Sequence, residues 1–238
     1  MDDRDRFDFL RAPSATRPLL GLTVLAVEDS RYTCEALRLL CQRSGARLRR
    51  ADSLGSARRH LAVYRPSVLV VDMGLPDGPG AQLIAEAAAT GPRIAVILGI
   101  SGDPFAENAA LAAGADAFLA KPLSSLSVFQ ETVLGLLPEA AQPSGPRTIN
   151  EEILRPDPVA FRDDMAQAAE LLGNAASPHA LDHVARFVAG VARSAGDGPL
   201  AAAAEELVSA GAQSQPSGAR AARLAGMVHA RLEERLAI

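Results

Sequence analysis

Four short apolar runs, spaced between stretches with helical character, constrain this chain more than any other feature. They are Leu22–Val27, Val68–Val71, Ile94–Ile100 and Ala117–Ala120. Each is long enough for one buried strand and too short for an ordinary helix. Each opens into a polar or turn-forming segment: Glu28-Asp29, Asp72 with the turn Met73–Gly78, Ser101, and Lys121-Pro122. The intervening segments carry helix signals. Ser30 can cap a helix that stops at Gly45, and Ser53 can cap one running through Tyr64 and halted before Pro66. Ala81–Ala89, Pro104–Ala113 and Ser125–Leu137 complete the helical set, and Arg47–Ala51 reads as a short polar strand.

These elements form five βα units, which implies a parallel sheet with helices on both faces. The three most apolar strands belong in the centre and the polar Arg47–Ala51 at an edge. A doubly wound, flavodoxin-like (βα)5 α/β fold with strand order 2-1-3-4-5 satisfies both demands. The expected boundaries are a flexible arm over 1–18, the α/β unit over 19–139, a Pro/Gly/Ser-containing linker over 140–156, and an all-α region over 157–238. In that region Pro158–Leu172, Pro178–Ala195, Pro199–Ala210 and Ser217–Leu236 read as four helices, hence a four-helix bundle. Pro178 and Pro199 suit a first helical turn. Leu181, Val184, Val188 and Val191 mark one apolar stripe.

Composition narrows the setting. Aromatic residues are 4% of the 238 and Trp is absent, so the core rests on Ala, Leu and Val. The net charge of −4 gives no general attraction to nucleic acid or anionic membrane. Cys34 and Cys41 lie a heptad apart on one expected helix, too far for a disulfide, and read as packing thiols in a reducing compartment. No apolar stretch is long enough to span a bilayer and the N-terminus lacks a secretory pattern, so a cytoplasmic location is expected.

In the expected topology all strand C-termini meet at one edge. Glu28, Asp29, Asp72, Ser101 and Lys121 therefore converge despite their separation in sequence. Three carboxylates repel unless a cation joins them, and oxygen ligands with room for water suit Mg²⁺. Lys121 adds positive charge, Ser101 a hydroxyl, and Gly74 lets a backbone carbonyl approach. Such a site can stabilise a phosphoryl group during transfer, and a carboxylate can itself be the nucleophile.

The segments Val27–Ser30 (Val-Glu-Asp-Ser), Val70–Gly78 (Val-Val-Asp-Met-Gly-Leu-Pro-Asp-Gly) and Gly114–Pro122 (Gly-Ala-Asp-Ala-Phe-Leu-Ala-Lys-Pro), in this order on five βα units, resemble the receiver domain of two-component response regulators. The resemblance implies that Asp72 is the phosphoacceptor, that Asp29 binds Mg²⁺ directly and Glu28 through water, and that the Gly74 carbonyl is another ligand. It implies that Lys121 pairs with phosphoryl oxygens, that Ser101 is the switch hydroxyl and that Phe118 is the aromatic switch residue. The stretch from Ser101 to Gly114 is about two residues shorter than the family pattern. An ungapped alignment would place Gly99 at the switch position instead.

The tail carries nine Arg, no Lys and twelve Asp plus Glu from Ala140 onward, without the basic face of a nucleic-acid reader. Ala185–Gly196, followed by Leu200 and Ala203–Leu207, resembles the core motif of a histidine phosphotransfer (Hpt) domain. Its phosphorylated histidine would fall at Arg186, its usual lysine at Ala189, and Gly190 matches its small residue. Histidine chemistry would then be absent, although His183 lies one turn earlier on a similar polar side. The combined reading is a non-enzymatic, Asp72-phosphorylated response regulator that signals through a helical protein-interaction or dimerisation domain. A histidine kinase or Hpt protein would donate the phosphoryl group, with neither DNA nor membrane as partner. The alternatives are a phosphorelay transferase using His183, and a phosphorylation-independent scaffold whose tail mimics an Hpt domain.

Overall fold

The structure, a computed structural model, describes residues 13–103, 105–139, 142–143, 149–175, 177–213 and 217–234. Much of the expected 1–18 arm, Pro104 and most of 140–148 lie outside them. Along the chain run β1 (Thr23–Val27), α1 (Arg31–Ser44), β2 (Arg47–Ala51), α2 (Leu54–Val63), β3 (Val68–Asp72), β4 (Gly74–Leu75), β5 (Gly78–Pro79), α3 (Gly80–Ala89), β6 (Val96–Ser101), α4 (Ala106–Ala112), β7 (Ala117–Ala120) and α5 (Leu126–Leu136). Four longer helices follow: α6 (Pro158–Asn174), α7 (Pro178–Ala195), α8 (Gly198–Ala212) and α9 (Gly218–Glu233).

The five long strands form one parallel sheet in the order β2-β1-β3-β6-β7, the expected flavodoxin-like arrangement with the Arg-rich β2 at an edge. Successive side chains on a strand point to opposite faces. Val24, Ala26, Val68, Val70, Val96 and Leu98 therefore pack with α1 and α5, while Leu25, Val27, Leu69, Val71 and Ile97 pack with α2, α3 and α4. Local chemistry sets the helix ends. Ser30 accepts from Thr33 N at 3.0 Å, and Gly45 takes the left-handed φ of 87° that stops α1. Ser53 caps α2 by accepting from Ser56 N.

Three expectations shift. β6 begins two residues later than its apolar run and ends one residue later, so Ser101 is its last residue. The turn after Asp72 folds into a two-residue antiparallel pair, β4 with β5, which the Gly/Pro composition did not disclose. The described end of the expected linker is also no free tether. Leu126 N donates to Glu152 O at 3.1 Å, Leu154 N donates to Ser124 O at 2.8 Å, and Leu154 is buried in the α1–α5 core.

Helices α6 to α9 share a second apolar cluster built on Met165, Val184, Val188, Leu200, Leu207, Leu224 and Val228. The expected stripe on α7 faces this cluster, with Leu181 at its margin. Ser177 caps α7, Pro178 sits in its first turn and Gly196 ends it at φ 78°. Cys34 and Cys41 are both buried and unbridged. Burial pushes each thiol up to about 12, which suits packing groups rather than reactive ones. No helix among the described residues is long and apolar enough to cross a membrane.

Candidate functional site

Asp72 is the last residue of β3, and its neighbours in space come from the ends of β1, β6 and β7. One carboxylate oxygen from each of Glu28, Asp29 and Asp72 lies within 4.8 Å of the others. Lys121 Nζ stands 2.7 Å from Glu28 Oε2 and 3.0 Å from Asp72 Oδ1. The backbone holds this lysine in place, since Lys121 N donates to Ser101 O at 2.8 Å. Glu28 also accepts from Ser30 N at 3.1 Å, so the residue before the metal candidate Asp29 is tied to the start of α1.

Electrostatics make the cluster costly without a cation. Burial pushes the Glu28 carboxyl well above its usual range; Lys121 opposes this, and repulsion from Asp72 and Asp29 adds to it. Burial and then repulsion from Asp72 push Asp29 up to about 7. Burial also works against the Lys121 ammonium, but the Asp72 and Glu28 carboxylates outweigh it and hold the group protonated. Three hard oxygen donors at this spacing, two of them held against their ionisation, fit a small divalent cation. Glu28, Asp29 and Asp72 would hold Mg²⁺, which when bound neutralises this repulsion and the charge on phosphoryl oxygens.

A pH dependence follows. Asp29 ionises near 3.8 when free of its surroundings and near about 7 in the fold. Its contribution to metal-free stability is therefore complete below the lower value and is lost as pH rises toward the higher one. A proton there competes with the metal. The rise in thermal midpoint on adding Mg²⁺ should accordingly be larger at about pH 8 than at about pH 6. Differential scanning fluorimetry reads this, and an equal shift at both values would contradict it.

The remaining sequence candidates are distributed as follows. Ser101 lines the cavity over Asp72, and its Oγ accepts from Asp103 N at 3.0 Å. A Cβ on Gly99 would stand 2.6 Å from the Ala110 Cβ of α4, so that position is filled by packing. Gly74 lies beside Asp72, its notional Cβ being 3.8 Å from Asp72 Oδ2. Phe118 is half-buried against Gly99 and the α2–α4 face. From the helical region, Arg186 and Gly190 line the same cavity as Asp72, and His183 Nε2 lies 3.9 Å from Asp29 Oδ2. Burial and then repulsion from His179 lower the His183 pKa, so the contact is with a neutral ring near neutrality.

Two features escaped the sequence reading. A Cβ on Gly80 would collide with the Asp72 carbonyl oxygen, so the first residue of α3 is small to let the helix close on the phosphoacceptor candidate's backbone. Asp164 of α6 is wholly buried and caps α1 from outside. Ser30 Oγ donates to its Oδ2 at 2.7 Å, Arg31 N to its Oδ1 at 2.7 Å and Tyr32 N to its Oδ2 at 3.0 Å. Tyr32 packs edge-on against Phe161, with ring centroids 6.0 Å apart, and Arg31 pairs with Asp163 at 2.9 Å. The helical region is thereby docked beside the acidic cluster.

Residues 24–132 match the family model described as the response regulator receiver domain. That segment is a receiver domain. Curated relatives agree. The chain is 32% identical over 99 residues to the KDP operon transcriptional regulatory protein KdpE of Escherichia coli K12, covering 42% of this chain and 44% of that protein. It is 31% identical over 104 residues to the response regulator MprA of Mycobacterium leprae, covering 43% and 46%. The match therefore spans less than half of these relatives' length. Among solved structures, a response regulator from Chloroflexus aurantiacus aligns with 29% identity and a TM-score of 0.44, over 48% of this chain and 98% of that one. A sensor-kinase receiver domain from Pseudomonas aeruginosa PAO1, with magnesium coordinated in its active-site cleft, aligns with 22% identity and a TM-score of 0.44, over 49% and 97%.

Proposed function

We propose that this chain is a two-component response regulator, phosphorylated on Asp72 with Mg²⁺ held by Glu28, Asp29, Asp72 and the Gly74 carbonyl. The observation that carries the reading is the Asp72–Lys121–Glu28 geometry, with Asp29 beside it, at the C-terminal edge of a receiver-domain sheet. A Asp72 carboxylate oxygen attacks phosphorus. The bond from phosphorus to the donor's nitrogen breaks, and its electron pair leaves with the donor. Lys121 is close enough to offset charge on the phosphoryl oxygens, Ser101 is the switch hydroxyl, and Phe118 is the aromatic group that follows it. The activity is regulatory, in the cytoplasm, with a histidine kinase or Hpt protein as donor.

The output is the helical region, 157–238, read as a four-helix bundle on an Hpt-like scaffold without that family's histidine at Arg186. The shared apolar cluster and the succession of contacts α6–α7, α7–α8, α8–α9 and α9–α6 support the bundle. Phosphorylation biases how this bundle docks or pairs with a protein partner, including a second copy. The test combines hydrogen exchange at the α1–α6 contact with light scattering, with and without Mg²⁺ and beryllofluoride. Unchanged exchange and unchanged mass, while fluorine NMR shows the mimic on the receiver, would overturn control of docking or assembly. One observation favours a second reading: His183 stands over the acidic cluster. Acid-labile phosphate on His183 would mark a relay between it and Asp72.

A further inference from the structure

The cavity over Asp72 has walls from both parts of the chain. Asp72, Ser101 and Lys121 face it from the receiver, and Arg186, Arg193 and Glu205 from the helical region. Its volume of about 640 Å³ has room for a phosphoryl group, a metal ion and several waters. The two arginines are not equivalent. Arg186 is bound along its own helix to Asp182 at 2.8 Å. Arg193 reaches across to the receiver, and its Nη2 would stand 3.1 Å from a Cβ built on Gly102. The guanidinium thus lies against the backbone that follows Ser101, where any side chain would push it away. Its ion pair with Glu205 is loose, 3.5 Å with both side chains well exposed, and such pairs hold a side chain weakly.

We propose that the phosphoryl group on Asp72 is bound between the two parts of the chain, with Arg193 as the helical region's contact to its oxygens. Phosphorylation then tightens the docked arrangement. The inference rests on Asp72 being the phosphoacceptor. Converting a carboxylate to an acyl phosphate adds about one negative charge and supplies several acceptor oxygens. A guanidinium presents a planar fork of donors that matches them, and it exchanges a loose carboxylate partner for a more highly charged one. Because binding and docking are linked, whatever Arg193 adds to phosphoryl binding it also adds to docking.

The test uses the full chain with Mg²⁺ and beryllofluoride, following the mimic by fluorine NMR and docking by hydrogen exchange at the Arg31 and Tyr32 amides. In the wild type the mimic slows exchange at these amides about fivefold or more. In Arg193→Ala and in the neutral, similarly sized Arg193→Gln, the mimic binds about tenfold more weakly and leaves their exchange unchanged, while Arg193→Lys recovers part of both effects. Wild-type affinity in Arg193→Gln, or faster exchange in the wild type on adding the mimic, overturns the proposal and leaves Asp72 as phosphoacceptor untouched. Failure of the mimic to bind the wild type, or its persistence in Asp72→Asn, removes the phosphoacceptor reading itself and this one with it.

Discussion

Asp72→Asn should abolish phosphorylation by phosphoramidate and Mg²⁺, with labelling reduced by about 1000-fold or more, because an amide cannot act as the nucleophile. In the wild type the Asp72 oxygen should displace ammonia from phosphorus, and intact-mass spectrometry would read the added phosphoryl group. The variant should fold as well as the wild type. Asn keeps the side-chain volume, and Asp72 is one of three carboxylates packed within 4.8 Å of one another. Removing its charge relieves the repulsion that, behind burial, helps to raise Asp29. Lys121 loses one partner but keeps Glu28 at 2.7 Å. The expected signature is therefore lost labelling with a metal-free thermal midpoint that is unchanged or higher, a pattern common where a functional site is built against stability. Labelling that survives in Asp72→Asn and maps elsewhere would remove Asp72 from the centre of the mechanism.

Asp164→Ala should release the helical region from the receiver. The substitution deletes three hydrogen bonds and leaves the Arg31 and Tyr32 amides without their partner at a covered helix start. Losing a charged acceptor from one buried and two part-buried donors costs about 2–4 kcal/mol in docking free energy. Burial raises the Asp164 pKa, while the bonds from Tyr32 N, Ser30 and Arg31 N pull the other way, so these donors offset part of the cost of placing the carboxylate there. Exchange at the Arg31 and Tyr32 amides should rise about tenfold or more, with no change at the centre of β3, which belongs to the separate receiver core. Asp164→Asn, which keeps one acceptor oxygen, should fall between. Wild-type exchange in Asp164→Ala would show that the Tyr32–Phe161 contact and the shared apolar surface hold the two parts without this cap.

The receiver was legible because its signals are short in range. An apolar run of five or six residues, a capping serine such as Ser30 and a stopping glycine such as Gly45 each act within a few residues, and their alternation left one economical topology. That topology alone brings Asp72 to Glu28, Asp29 and Lys121, so the acidic cluster needed no contact information. Ser101 was less certain, because the count of residues before Gly114 admitted two alignments. In the fold Gly99 is packed against Ala110, whereas Ser101 lines the cavity, and this supports the proposal that Ser101 is the switch hydroxyl.

What lies between the two parts of the chain was not legible. Asp164 looks in sequence like one of several acidic residues on a solvated helix face, and nothing within a turn of it identifies Ser30, more than a hundred residues away, as its partner. Arg193 likewise looks like an ordinary cation near a helix end. The sequence by itself determined the sheet, its strand order and the acidic cluster, because periodicity and caps are local and sheet handedness does the rest. Only the tertiary structure decided that the helical region sits over that cluster, because docking depends on how two finished surfaces match in shape and charge, and no local pattern encodes that match.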